Sequence, residues 1–425
     1  MKSLRLLKNA DLKDKIVLVR VDHNVVKKGL IHDPYRIDMT FSTLFNIVAK
    51  GGKLVLMTHN GRPKNKKTGE IEITADTSVE PIAKYIESKL GIEFVVPQLK
   101  YSEGEGIDNF VDDLKPVVGQ LRNGEIDAIY LPNTRWFKGE EDKGEFATQM
   151  AERLASLVDV YVNDAFGSWQ AHTSTTLIAE KLPAYSGNLM QKEVENLDKL
   201  FAPKRPLVAV VAGSKFDTKI KPLNALLKQA DYLVLGGVIY NAYLCAKYRI
   251  SINGVDAEDL ELAKSFVEYS KQFPGKIVEL KHIVESDTLE AKTEGQFRKH
   301  NIEDLKAGDK LNFVLDVGQE SFEDSSVRDV FLNAETIFVN AVMGFTPNFC
   351  EGTIALNKLI DENKSAMKLL GGGDTLQEFK TLLPGEYLKA VDDKTYYMFT
   401  GGGAVLEAVQ AGNAWGIKPI SYIAD

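Results

Sequence analysis

Apolar residues along this chain fall in short runs of four to six, separated by longer stretches in which they recur every three or four positions. One series occupies 16–21, 53–58, 128–131 and 158–162. A second occupies 207–212, 232–235, 276–280, 311–315, 336–339, 367–370 and 396–399. These runs are rich in Val, Ile, Leu and Tyr, as expected for strands buried on both faces. The stretches between, such as 145–157 and 220–229, have helical spacing. Alternation of this kind predicts parallel sheets covered by helices.

The residues after each run carry the chemistry. In the first half they are Asp22-His23-Asn24, His59-Asn60-Gly61-Arg62, Asn133-Thr134-Arg135 and Asn163-Asp164. In the second half they are Gly213-Ser214-Lys215, Gly236-Gly237, Gly371-Gly372-Gly373-Asp374 and Gly401-Gly402-Gly403. Ligands of open α/β sheets bind at the carboxyl ends of strands. The change in character therefore predicts two lobes, each with its own ligand. A chain of 425 residues suits two domains of about 200 residues each. The join is expected near 186–204, where 190–201 has helical spacing and Pro203 and Pro206 follow. The expected organisation is a lobe over 1–186, a linking helix over 187–204 and a second lobe over 205–409. No repeat or low-complexity tract interrupts it.

Composition narrows the function. Lys plus Arg is 52 and Asp plus Glu is 60, a net charge of −8. That balance argues against a nucleic-acid partner, which needs a basic face, but leaves room for a local basic pocket. No run of 18 apolar residues would span a membrane, and the opening lacks a signal peptide's apolar segment. The two cysteines, Cys245 and Cys350, match no metal spacing and make no disulfide framework. They fit a reducing cytosol, and a cytoplasmic protein is expected.

Glycines let a backbone approach a phosphate, and a following helix offers free N–H groups. Gly371-Gly372-Gly373-Asp374-Thr375 precedes a helical stretch over 376–381, and Thr400-Gly401-Gly402-Gly403-Ala404 repeats the arrangement one strand later. Asp374 suits Mg²⁺, which prefers oxygen ligands. An ordinary N-cap reads equally well from Asp374 alone. Lys215 and Lys219, four apart, would share a helix face. There they would either neutralise a transferring phosphoryl group or lie on a solvated surface. Arg20, Arg36, His59, Arg62, Arg135 and His172 form a candidate anion pocket, since arginine binds carboxylate and phosphate with paired hydrogen bonds. His23 alternates away from Asp22 and Asn24 and reads as structural. There is no P-loop, no dinucleotide fingerprint, no Gly-x-Ser-x-Gly elbow and no zinc spacing.

Several of these segments resemble blocks of the phosphoglycerate kinase family, in the same order. They are Val19-Arg20-Val21-Asp22-His23-Asn24-Val25, Thr58-His59-Asn60-Gly61-Arg62-Pro63, Asn163-Asp164-Ala165-Phe166-Gly167, Leu189-Met190-Gln191-Lys192-Glu193 and the two glycine turns. The resemblance implies two Rossmann-like lobes joined by a helix, with the tail, 410–425, returning to the first. It implies phosphoglycerate binding through Asp22, Asn24, Arg36, His59, Arg62 and Arg135, with His172 near the same basic patch. It implies MgATP or MgADP on the second lobe. Lys215 and Lys219 would meet the phosphates, and Gly213, Gly236, Gly237 and Asn340 would line the pocket. Gly372, Gly373, Asp374 and Thr375 would meet phosphate and Mg²⁺. Arg36, Lys215 and Lys219 would act at the reacting centre. The implied reaction is in-line phosphoryl transfer between 1,3-bisphosphoglycerate with ADP and 3-phosphoglycerate with ATP, after lobe closure, by a monomer.

The chain also departs from the family pattern. Gly167-Ser168-Trp169-Gln170-Ala171-His172 is one residue shorter than usual and lacks an arginine. Pro347 stands where a ribose-binding glutamate is usual, Pro132 replaces a glutamate and His23 replaces a phenylalanine. Two other readings stay open from sequence: a kinase of the same fold acting on another small carboxylate, and a nucleotide-binding homologue without catalysis.

Overall fold

In the computed structural model, which describes residues 2–425, the run 16–21 forms the wholly buried strand Ile16–Val21. It pairs in parallel with Lys53–Met57 on one side and Val160–Asp164 on the other. Outward from the first lie Ala128–Tyr130 and Phe94–Val95, and beyond the second lies Ala184–Ser186. All five pairings of this six-stranded sheet are parallel. The carboxyl ends therefore share one edge, which places the residues after Val21, Met57, Tyr130 and Asp164 together. Helices Phe41–Ala49 and Glu80–Leu90 bury Leu44, Ile47, Ile82 and Ile86 against the core.

A second six-stranded parallel sheet has the order Ile277–Val278, Tyr232–Gly236, Leu207–Gly213, Thr336–Asn340, Met367–Gly371 and Tyr396–Phe399. The expectation of parallel α/β sheets holds, with three adjustments. The run 158–162 lies two residues early: Asn163 and Asp164 belong to the strand and pair with Arg20 and Val21. Gly213, Gly236 and Gly371 likewise end their strands rather than follow them. The run 311–315 joins neither six-stranded sheet: Leu311 pairs in parallel only with the short strand Ser251–Ile252. Phe313–Val317 pairs antiparallel with His282–Ser286, which also pairs with Phe297–Asn301. Glu285, buried on the middle strand, ties this small sheet together by accepting from Arg298, Asn312 and His300.

The chain separates into two units. One runs to Glu195 and includes Ala414–Asp425; the other is Asn196–Asn413. The helix Asn188–Phe201 is continuous across that division. Within the first unit the tail is tied to the beginning of the chain, with Arg5 N–H donating to the Ile423 carbonyl at 2.9 Å. Among the described residues no helix is long and apolar enough to cross a membrane, and both cysteines are free.

Candidate active site

In the first unit, Arg36 and Asp22 form an ion pair of 3.1 Å. Asp22 Oδ1 is buried with no hydrogen-bond partner within the chain. Asn24 Oδ1 accepts from Gly61 N–H at 2.9 Å, which fixes the turn carrying His59 and Arg62. Asn133 does the same from the next strand: its Oδ1 accepts from the backbone of Asn60 and Arg135, and its Nδ2 donates to the Asn60 carbonyl. Arg135 donates to the Gly61 carbonyl and pairs with Glu141 at 2.9 Å. Arg62 is exposed.

The electrostatics join these residues into one site. Burial alone would raise the Asp22 carboxyl, but Arg36, then His59 and Arg20, outweigh it and hold Asp22 below the usual carboxylate range. Burial first, and Arg20 second, push the His59 imidazole down. Asp22, Arg135 and His172 also act on that ring. His172 is half-buried and pushed down chiefly by burial, against the pull of Glu140 and Glu141. Arg20 stands apart from the sequence expectation. It is fully buried and spends its donors on Ser174, the Val21 carbonyl and His59, so it lies behind the pocket. His23 is structural, buried with one ring nitrogen 3.0 Å from the Tyr130 hydroxyl and the other 3.0 Å from Thr40 Oγ1.

In the second unit a cavity of about 440 Å³ opens at the carboxyl ends of the strands. Lys219, Asn340, Gly213, Gly237 and Gly372 through Thr375 line it, as do Gly402 and Gly403. Helices Gly237–Tyr248, Gly373–Leu382 and Gly402–Ala411 begin beside it. Their N-caps, Gly236, Gly372 and Gly401, supply no side-chain cap. No side chain caps any of the three, and a helix N-terminus of that kind can receive an anion. Asp374 is the second residue of its helix, not the N-cap, which removes the ordinary-cap reading. A Cβ on Gly402 would stand 2.3 Å from the Gly372 Cα: the two glycine turns touch, and only glycine fits. Gly237, at φ +62, has its absent Cβ position 3.0 Å from the Gly213 carbonyl oxygen.

Lys219 Nζ donates to Asn340 Oδ1 at 2.7 Å. Burial pushes its ammonium down to about 8, although Asp374 pulls the other way. The helical pairing of Lys215 with Lys219 is not found. The segment 215–218 is not helical, Lys219 is the N-cap of helix Ile220–Gln229, and Lys215 is exposed outside the cavity lining. Asp259, from another helix, imposes the turn by accepting from Phe216 N–H at 2.8 Å. Gly236 also stands off the lining, packed on Met343. Sequence reasoning missed Tyr240, Asn241, Asp316 and Met343, which also line the cavity. Of these, Asp316 is pushed up to about 7, mainly by burial. Nothing local in the sequence marks them: Tyr240 and Asn241 are helix residues, Asp316 is on a strand and Met343 is in a loop.

Comparison with known proteins agrees with this architecture. A sequence model of the family described as phosphoglycerate kinase matches residues 7–412. A phosphoglycerate kinase of Dictyoglomus turgidum is 32% identical over 410 residues, covering 95% of each chain. One of Rhizobium meliloti is 36% identical over 414 residues, covering 93% of each. The structure of phosphoglycerate kinase from Coxiella burnetii superposes with a TM-score of 0.74 at 27% identity, over 99% of this chain and 98% of that one. With its two sheets, its glycine-walled cavity and relatives matched from end to end, the chain belongs to the phosphoglycerate kinase family.

Proposed function

We propose that this chain transfers a phosphoryl group reversibly between ATP and 3-phosphoglycerate, a phosphotransferase with a carboxyl acceptor. The observation that carries the reading is Lys219 facing two abutting glycine turns in one cavity. A lone ammonium among uncapped helix N-termini suits a polyphosphate and little else.

In the first unit, Asp22 Oδ1 would accept from the substrate hydroxyl. Arg36, Arg62 and Arg135 would neutralise carboxylate and phosphate, with Asn24 shaping the loop beneath and His59 and His172 donating from their rings. In the second unit, the glycine turns would hold the nucleotide phosphates, and Lys219, joined by Lys215 from its exposed turn, would offset charge on the group in transit. Gly213, Gly236, Gly237, Asn340 and Thr375 would shape that pocket. The β-phosphate oxygen of ADP attacks the acyl phosphate in line; the bond to the carboxylate breaks and no protein atom bonds to phosphorus.

Mg²⁺ fits this site. No group of three or more metal-ligating side chains exists among the described residues, and Mg²⁺ typically takes one or two carboxylates plus substrate phosphates. Asp374, exposed at the head of its helix, is the residue that would hold it, and the ion would supply further neutralisation of phosphate charge. The proposal includes a monomeric cytoplasmic enzyme with small-molecule partners only, in keeping with the net charge of −8; sedimentation velocity checks the monomer.

Steady-state ADP formation from MgATP and 3-phosphoglycerate, with Lys219→Ala as control, tests the reading. Absence of turnover in a folded, ATP-binding protein overturns it. One observation favours a second reading: Gln170 is exposed where the family resemblance calls for arginine. Transfer to another small carboxylate would then exceed transfer to 3-phosphoglycerate in the same assay.

A further inference from the structure

Arg20 Nη2 lies 3.1 Å from His59 Nδ1. A guanidinium has donors and no acceptor. Nδ1 must therefore offer its lone pair, and the proton of the neutral ring sits on Nε2. Ser168 Oγ, 3.4 Å from the same Nδ1, can donate there as well. We propose that Arg20 is a positioning residue: held behind the substrate site, it fixes His59 as the neutral tautomer that presents an Nε2–H donor to a carboxylate or phosphate oxygen of the substrate. This rests on phosphoglycerate being the ligand of the first unit.

Arg20 cannot itself reach a ligand. It is on the central strand, paired with Met57 and Asn163 on either side. Its Nε donates to Ser174 Oγ at 2.8 Å and its Nη1 to the Val21 carbonyl. Ser174 Oγ donates in turn to Glu140 Oε1 at 2.6 Å, and Glu140 Oε2 accepts from Ser174 N–H at 2.9 Å. Arg20 and Glu140 are both 0% exposed. The buried carboxylate balances the buried guanidinium through the serine hydroxyl, so the arginine's direction is set from behind and its remaining edge meets His59.

The same arrangement opposes a second ring proton. An imidazolium would turn Nδ1–H toward a guanidinium that has only hydrogens to offer. Burial and the Arg20 charge disfavour that form, and Arg135 and His172 add to the effect. Asp22 alone among the groups acting on the ring favours it. Glu140 reaches the cluster through Ser174, and Glu141 is engaged by Arg135.

The test is nitrogen NMR of histidine-labelled protein, with the His59 signals assigned by their loss in His59→Gln. In the wild type, Nδ1 should read as unprotonated and Nε2 as protonated, unchanged between about pH 6 and pH 8, where a free histidine titrates. In Arg20→Met, where burial still disfavours the charged ring, the Nδ1 and Nε2 signals should move toward each other as the second neutral tautomer becomes populated. The KM for 3-phosphoglycerate should rise about tenfold or more, the worth of one well-placed hydrogen bond, while the KM for ATP stays unchanged. A wild-type ring protonated on Nδ1, or titrating in this range, overturns the proposal. So does an Arg20→Met spectrum identical to the wild type. The wild-type spectrum decides even if the variant fails to fold. The expected spectrum without phosphoglycerate turnover would overturn the ligand assignment and leave the tautomer standing.

Discussion

Lys219 and Asn340 meet across the second unit's cavity, Nζ to Oδ1 at 2.7 Å, and Asn340 Nδ2 donates onward to the Gly371 carbonyl. The lysine is thereby anchored to the strand end that begins the glycine turn. An amide oxygen holds an ammonium without neutralising it, which leaves its charge for a phosphate.

Activity should lose an ionising group in alkali. Burial places Lys219 near 8, so the ammonium is charged below that pH and neutral above it. The kcat/KM for ATP, which reports the free enzyme, should therefore fall as pH rises through about 8. Lys219→Arg, whose guanidinium stays charged, should lack this limb whatever its absolute rate. Lys219→Ala should lower kcat by about 100-fold or more, the effect of removing one transition-state donor. A pH–rate profile of the three proteins checks this.

The contact of the two glycine turns should tolerate no side chain. In Gly402→Ala a Cβ would stand 2.3 Å from the Gly372 Cα, and backbone cannot yield as a flexible side chain does. Overpacking of this kind destabilises by about 1–3 kcal/mol. The variant should melt earlier, and ATP should restore less thermal stability than in the wild type. Thermal melts with and without nucleotide measure both effects.

Asp22→Asn should separate the two ligands. It removes the charge paired with Arg36 at 3.1 Å and keeps the shape. The KM for 3-phosphoglycerate should rise about tenfold or more, with the KM for ATP unchanged. Equal changes in both would refute the assignment of the first unit to phosphoglycerate.

Gln170→Arg should restore a missing charge. A charge-assisted hydrogen bond contributes about 1.5–3 kcal/mol, so the KM for 3-phosphoglycerate should fall by roughly 10-fold or more. An unchanged KM would mean that another cation already fills that role.

His23 should make the protein sensitive to acid. Burial pushes its imidazole down to about 3, below the unfolded value near 6.5. Between those limits the unfolded chain binds a proton that the native chain refuses, so stability falls as pH falls from about 6.5 toward 3. His23→Phe should lose less stability between about pH 7 and pH 5 than the wild type. Urea titrations at both pH values decide it.

Much of the fold was legible because buried parallel strands must be apolar along their whole length, as Ile16–Val21 and Leu207–Gly213 are. The strand Phe297–Asn301 was not. Its sequence, Phe-Arg-Lys-His-Asn, is partly exposed, and its partner Glu285 stabilises it by charge rather than by burial.

What the sequence by itself determined is the chemistry available at each strand end: acids, arginines and histidines in the first half, glycines and lysines in the second. Backbone turns and short side chains there follow from local rules. What only the tertiary structure decided is which of those groups face outward. Arg20 and Arg36 read alike in sequence, yet Arg20 is sealed on the central strand by Ser174 and Glu140. Arg36 lies on a short helix beside Asp22, partly open to solvent. Lys215 and Lys219 differ for the same reason, since Asp259 shapes the turn between them from a distant helix. Direction depends on partners remote in sequence, and only packing brings those partners into reach.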